Sequence, residues 1–194
     1  MIFFDVDTQI DFMLPVGALY VPGAEKMIPA LARLTEFARA QRIPIISDTD
    51  AHSAQDPEFR DWPPHCVAGT LGQNKVPETL LANPRVIPND PGPLPEGWRQ
   101  APQVIVQKQT LDAFETHTMD RLLEGRLGER FVVYGVVTEY CVLCAARGLL
   151  RKGVKIDIVT DAIRELDPER GRQVLADLER AGARLTTVAE VLGR

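Results

Sequence analysis

Short apolar runs rich in β-branched residues alternate along this chain with stretches of helical period. That alternation restricts the fold more than any other feature. The runs lie at Ile2–Asp7, Ile43–Asp50, Val104–Gln107, the start of Val132–Cys141 ahead of the turn at Gly135, Lys155–Thr160 and Arg184–Val188. They are too short for helices and read as strands buried in a parallel sheet. Between them, residues 24–41 place Met27, Leu31, Leu34 and Ala38 on one helical stripe, with Pro29 near the helix start, where a missing N–H costs little. Helices are also expected at about 76–82, 117–125, 139–152 and from Asp167-Pro168 to Gly182, with a short one closing the chain. Such an order predicts a three-layer αβα sandwich, Rossmann-like, around a six-stranded, mainly parallel sheet. At 194 residues the chain is read as a single domain spanning 1–194. Residues 84–102 hold six prolines and two glycines and are expected to be an irregular loop of that domain, a candidate lid.

Composition excludes several functions. A net charge of -5 without a basic stripe argues against nucleic acid as a partner. No apolar run has the length of a membrane span, and the chain opens directly on a strand without a basic leader. Three cysteines, 66, 141 and 144, are too few and odd in number for a secreted disulfide framework, so a cytoplasmic location is expected. A homo-oligomer is neither required nor excluded.

The polar residues that follow the strands carry the chemistry. Asp7 follows the first strand, Asp50 and His52 the second, Lys108 the third and Cys141 the fourth, so all are expected on the carboxyl rim, where open parallel sheets bind ligands. Thr138 is expected to cap a helix with Cys141 near its third residue, where the free N–H groups favour the thiolate. A thiol nucleophile needs a base, and Asp7 is the candidate, with Lys108 balancing the negative charge. The plain alternative is a buried Asp–Lys ion pair without chemistry. Asp5 shares the face of Asp7 by strand period and would raise its pKa if close; a structural partner for Asp5 is the other possibility.

Asp50-x-His52 followed by His65 has the make-up of a metal site with nitrogen and oxygen ligands, and Glu58 in the same loop is a candidate fourth ligand. Trp62, held beside His65 by Pro63 and Pro64, would either stack on a flat ligand or cover the core. Cys141-x-x-Cys144 also permits a thiol-redox reading, although the Thr-Glu-Tyr before it lacks the usual redox signature.

Four motifs together resemble the isochorismatase-like cysteine hydrolases, in particular the nicotinamidase/pyrazinamidase branch. They are Asp7-Thr8-Gln9-Ile10-Asp11-Phe12 with Gly17-Ala18-Leu19 and Pro22-Gly23-Ala24 after it; Trp62-Pro63-Pro64-His65-Cys66-Val67-Ala68-Gly69-Thr70; Lys108; and Gly135-Val136-Val137-Thr138-Glu139-Tyr140-Cys141-Val142. The resemblance implies an amidohydrolase acting through a thioester on a small aromatic amide such as nicotinamide or pyrazinamide, within NAD metabolism. It implies Asp7 as base, Lys108 as charge partner and Cys141 as nucleophile. One divalent metal ion, zinc before iron or manganese, would be held by Asp50, His52 and His65, and in some members by an acid at the place of Glu58. It also implies a cis peptide between Val136 and Val137, an oxyanion hole from the N–H groups of Val137 and Cys141, and a substrate ring between Phe12 and Trp62. The chain departs from the family at Ala51 and Ser53 beside the metal site, at Leu111-Asp112-Ala113-Phe114 after the lysine, and at Asp5 within the first strand. These touch the pocket and spare the triad. The alternative within the superfamily is a metal-free hydrolase of another small substrate.

Overall fold

The computed structural model describes residues 1–193. Its sheet has seven parallel strands: β1 Ile2–Val6, β2 Ile45–Asp50, β3 Arg85–Ile87, β4 Gln103–Lys108, β5 Arg130–Val136, β6 Lys155–Arg164 and β7 Arg184–Thr186. They lie in the order β3-β4-β2-β1-β5-β6-β7. Six strands were expected, and the seventh is β3, inside the proline-rich segment. Arg85-Val86-Ile87 is too short to show a period, and Pro84 and Pro88 flank it. At the sheet edge it pairs only with β4, so prolines beside it break no ladder. The rest of 84–102 is irregular except for a single 3₁₀ turn at Trp98–Gln100.

The helices are α1 Ile10–Met13, α2 Ile28–Gln41, α3 Met119–Leu123, α4 Leu143–Arg151, α5 Pro168–Arg180 and α6 Val188–Val191. One sheet face carries Phe4, Val6 and Val133 and packs on α4 through Ala145 and Leu149. The opposite face carries Phe3 and Tyr134 and packs on α2 through Leu31, Leu34 and Ala38. Each buried leucine contributes roughly 2 kcal/mol, which is what holds α2 on the sheet. The α2 stripe falls where the periodicity places it, but Ala24–Met27 form a 3₁₀ turn ahead of the α-helix. Only a 3₁₀ turn, Pro77–Thr79, stands in place of the helix expected at 76–82. Asp167 caps α5 as expected, accepting from the N–H groups of Glu169 and Arg170.

The chain runs from β1 outward on one side through β2, β3 and β4, then crosses to β5 on the other. Strand order therefore reverses between β1 and β5. Their contact is close: a Cβ on Gly135, whose φ is 122°, would lie 2.0 Å from the carbonyl oxygen of Val6, so only glycine fits. The next peptide, Val136–Val137, is cis. The turn after it departs from the expected capped α-helix. Thr138–Val142 form a π turn, closed by a bond of 3.1 Å from the N–H of Val142 to the carbonyl of Val137. The hydroxyl of Thr138 is buried and caps nothing. Such single π turns concentrate at functional sites.

Candidate active site

Asp7, Asp50, Lys108 and Cys141 come from the carboxyl ends of four adjacent strands, β1, β2, β4 and β5, and all four are buried. Lys108 lies between the others. Its Nζ is 2.9 Å from Oδ2 of Asp7, donates to Oδ1 of Asp50, and stands 3.8 Å from Sγ of Cys141. Asp7 leaves β1 in the left-handed region at φ 47°, which turns its side chain onto the rim. Apart from Lys108 and the Cys141 thiol, none of the described groups donates to its carboxylate oxygens, which leaves lone pairs open to a proton.

Electrostatics fit that geometry. Burial, helped by the charge of Asp50 and opposed by Lys108, pushes the Asp7 carboxyl up from 3.8 to about 6. Burial also favours the neutral form of Asp50, but Lys108, His52 and His65 outweigh it and hold that carboxyl below the usual range. The Cys141 thiol is pushed well up by burial, with Lys108 opposing. This corrects the expectation from the helix start. The thiol rests protonated, and a base must take its proton. Asp5 also departs from one of its two readings. It pairs with Lys75 at 2.8 Å, and the acid that raises Asp7 is Asp50.

Beside this cluster, Asp50, His52 and His65 form a buried group whose potential ligand atoms all lie within 4.8 Å of one another. Nε2 of His65 is 3.4 Å, and Nε2 of His52 3.6 Å, from Oδ2 of Asp50. Nδ1 of His65 donates to the carbonyl of Pro63 at 2.8 Å, and Nδ1 of His52 is 3.2 Å from Oδ2 of Asp56. The bond to Pro63 leaves Nε2 of His65 as its free nitrogen facing the Asp50 carboxylate, and both ring nitrogens of His52 are buried with no directed hydrogen-bond partner. Two imidazole nitrogens and a carboxylate oxygen so arranged fit a divalent metal with borderline ligand preference. Glu58 stands apart from this triple but lines the same pocket. Asp56, four residues after His52, was missed from sequence; an acid one turn beyond a histidine is the signal that marks it.

The pocket is a cavity of about 60 Å³ over Cys141, with Asp50 and His65 at one side. Phe12 and Trp62 line it together with Val137, Tyr140, Leu111 and Leu166. Tyr140 packs edge-on against Trp62 at 5.4 Å and carries the Arg170 guanidinium over its ring at 5.0 Å. The carboxylates among the pocket's lining residues are Asp50 and Glu58, and no lysine or arginine lines it. All three cysteines are free thiols. No helix among the described residues is long and apolar enough to cross a membrane.

The isochorismatase domain model matches residues 1–190. The chain is 26% identical to a nicotinamidase of Escherichia coli, over 95% of this chain and 93% of that protein. Among solved structures, it superposes on a pyrazinamidase of Pyrococcus horikoshii in complex with zinc with a TM-score of 0.78 at 28% identity, covering 96% and 98% of the two chains. An isochorismatase-like hydrolase from Alkaliphilus metalliredigens gives a TM-score of 0.81 at 26% identity, covering 99% and 97%.

Proposed function

From the premise that the chain belongs to the isochorismatase domain family and to its nicotinamidase-like amidohydrolases, we propose that it is a metal-dependent cysteine amidohydrolase that converts a small uncharged aromatic amide, nicotinamide or a pyrazinamide-like ring, to the acid and ammonia. The observation that carries this reading is the convergence of Asp7 and Cys141 on the single ammonium group of Lys108, at 2.9 and 3.8 Å.

Asp7 takes the proton of Cys141, and Sγ attacks the amide carbon to form a C–S bond. Backbone N–H groups of Val137 and Cys141, both at the pocket wall, hold the oxyanion. Collapse breaks the C–N bond while the Asp7 carboxyl returns its proton to the leaving nitrogen, and ammonia departs. Asp7 then accepts a proton from a water that attacks the thioester, and as the C–S bond breaks it passes that proton to Sγ, restoring the thiol. Lys108 stays charged throughout and offsets whichever of Asp7 and Sγ is anionic. A divalent metal held by Asp50, His52 and His65, with Glu58 as the candidate fourth ligand, would bind and orient the ring nitrogen of the substrate. Phe12 and Trp62 flank the ring.

The pocket favours this reading over a metal-free relative acting on an acidic substrate. With Asp50 and Glu58 in its lining and no lysine or arginine among the lining residues, a carboxylate-bearing substrate would meet like charge. The test is ammonia release from nicotinamide and pyrazinamide by the purified protein, before chelation, after it, and after zinc is restored. Loss on chelation and recovery with zinc is expected. Turnover that survives complete metal removal rejects the metal-dependent reading, and turnover of anionic amides alone rejects the substrate class.

A further inference from the structure

Gln9 and Asp11 are buried polar side chains of the first motif that the reaction above does not use. The Gln9 amide lies along the backbone of Asp50. Nε2 donates to the carbonyl of Asp50 at 2.8 Å, and Oε1 accepts from its N–H at 2.7 Å. Nε2 also donates to the carbonyl of Gln73 at 2.7 Å, in the loop that leads away from His65. β1 has ended by then, with Asp7 turned into the left-handed region, so no backbone of β1 remains to pair with the end of β2. The side chain supplies the missing ladder.

Two residues on, Asp11 grips the other side of the ligand group. Its Oδ2 accepts from the N–H of Cys66, next to His65, at 2.7 Å, and its Oδ1 accepts from the N–H of Ala18 at 2.9 Å. The chain wraps it so tightly that a Cβ on Gly72 would stand 2.1 Å from Oδ2. The residue types are dictated by these bonds. Gln9 must donate and accept at once, which neither glutamate nor methionine does. Asp11 must accept on both oxygens, and asparagine would turn an amino group toward one of the two N–H donors.

We propose that Gln9 and Asp11 are positioning residues that fix Asp50 and His65 relative to Asp7, so that one five-residue segment sets both the base and the ligand spacing. The inference rests on the metal-dependent reading. Groups that orient metal ligands from behind govern affinity by about 10–100-fold.

The experiment is zinc titration in competition with a chromophoric chelator, on wild type, Gln9→Met, Asp11→Asn, Asp50→Ala and Leu34→Ala, with Tm measured for each. Leu34→Ala is the matched control: it opens a cavity in the α2 core, away from the pocket lining, and lowers stability without touching these bonds. The expected result is zinc affinity about 10–100-fold weaker in Gln9→Met and Asp11→Asn, and unchanged in Leu34→Ala. Asp11→Asn, the milder change, carries the test if Gln9→Met does not fold. Wild-type affinity in both variants, or an equal loss in Leu34→Ala, overturns the inference and leaves the metal reading standing. No zinc uptake by wild type, or uptake unaffected by Asp50→Ala, overturns the metal reading and the inference with it.

Discussion

Asp7→Asn should abolish turnover and yet make the protein more stable at neutral pH. The Asp7 carboxyl is raised from 3.8 to about 6, chiefly by burial. That difference corresponds to about 3 kcal/mol by which folding disfavours the ionised form. The sign follows from proton linkage. Between these two values the folded chain keeps a proton that the unfolded chain has released, so stability falls as pH rises through the window, and the whole cost is present above about 6. Asparagine cannot ionise and escapes this cost, a figure from which the attraction of Lys108 is already subtracted. Burying the two N–H donors that the amide brings offsets part of the gain, leaving about 1–2 kcal/mol. For a chain of this length that is a rise in Tm of roughly 3–6 °C. Thermal unfolding of both proteins from pH 4.5 to 8, after chelation so that ligand binding does not enter, measures it. The advantage of the variant should be small at pH 4.5, grow to about 6.5 and level off. A variant less stable than wild type at pH 7.5, or a difference that does not change with pH, would show that Lys108 holds Asp7 as an ordinary ion pair, and the argument for a proton-accepting carboxylate would fail.

The same group sets the rate. In the metal-saturated protein, kcat/KM should fall about tenfold per pH unit below about 6, because a protonated Asp7 cannot take the thiol proton; a profile flat from pH 5 to 7.5 rejects Asp7 as the base. Cys141→Ala should lower kcat by at least about 10⁴-fold, and mass spectrometry of acid-quenched wild type should find an acyl adduct on Cys141 that the variant lacks. Lys108→Met strands two buried carboxylates without their cation and should cost about 3–5 kcal/mol, seen as a Tm lower by roughly 10 °C. An unchanged Tm would mean that the ionic cluster adds nothing to stability.

Most of the fold was legible because a strand buried in a parallel sheet and an amphipathic helix leave different periods in the sequence. β3 left none, being three residues at an edge. The rim was legible for a topological reason: in a parallel sheet every strand delivers its next polar residue to the same side, so the strand pattern alone brings Asp7, Asp50, Lys108 and Cys141 together. What lay beyond reading was how side chains substitute for backbone. Gln9 and Asp11 appear in sequence only as polar residues leaving a strand, and their partners are 41 and 55 residues away. The π turn at Thr138–Val142 was equally hidden, since inserting one residue into a helix start changes no local composition. The acidity of Cys141 follows from depth, which helix position in the sequence does not carry. Removal of the thiol from water dominates.

Depth alone, however, does not separate chemistry from structure, because two lysines, Lys75 and Lys108, are each buried against aspartate. Lys75 meets Asp5 one to one, at 2.8 Å. Thr8 donates to Oδ1 of Asp5 and Ser47 to Oδ2, at 3.0 and 3.3 Å, while Lys75 also donates to Thr8 at 2.6 Å. Charges cancel there, both carboxylate oxygens have donors, and nothing is left to react. Lys108 faces two carboxylates and a thiol with a single positive charge. Asp50 takes the stronger share, so Asp7 is left short of neutralisation and short of donors, and a proton is the remaining way to satisfy it. In the sequence each is an aspartate in or just after β1 and a distant lysine. The ratio of charges around each lysine makes one a brace for the 66–76 loop and the other a site where a proton can move from sulfur to carboxylate and back.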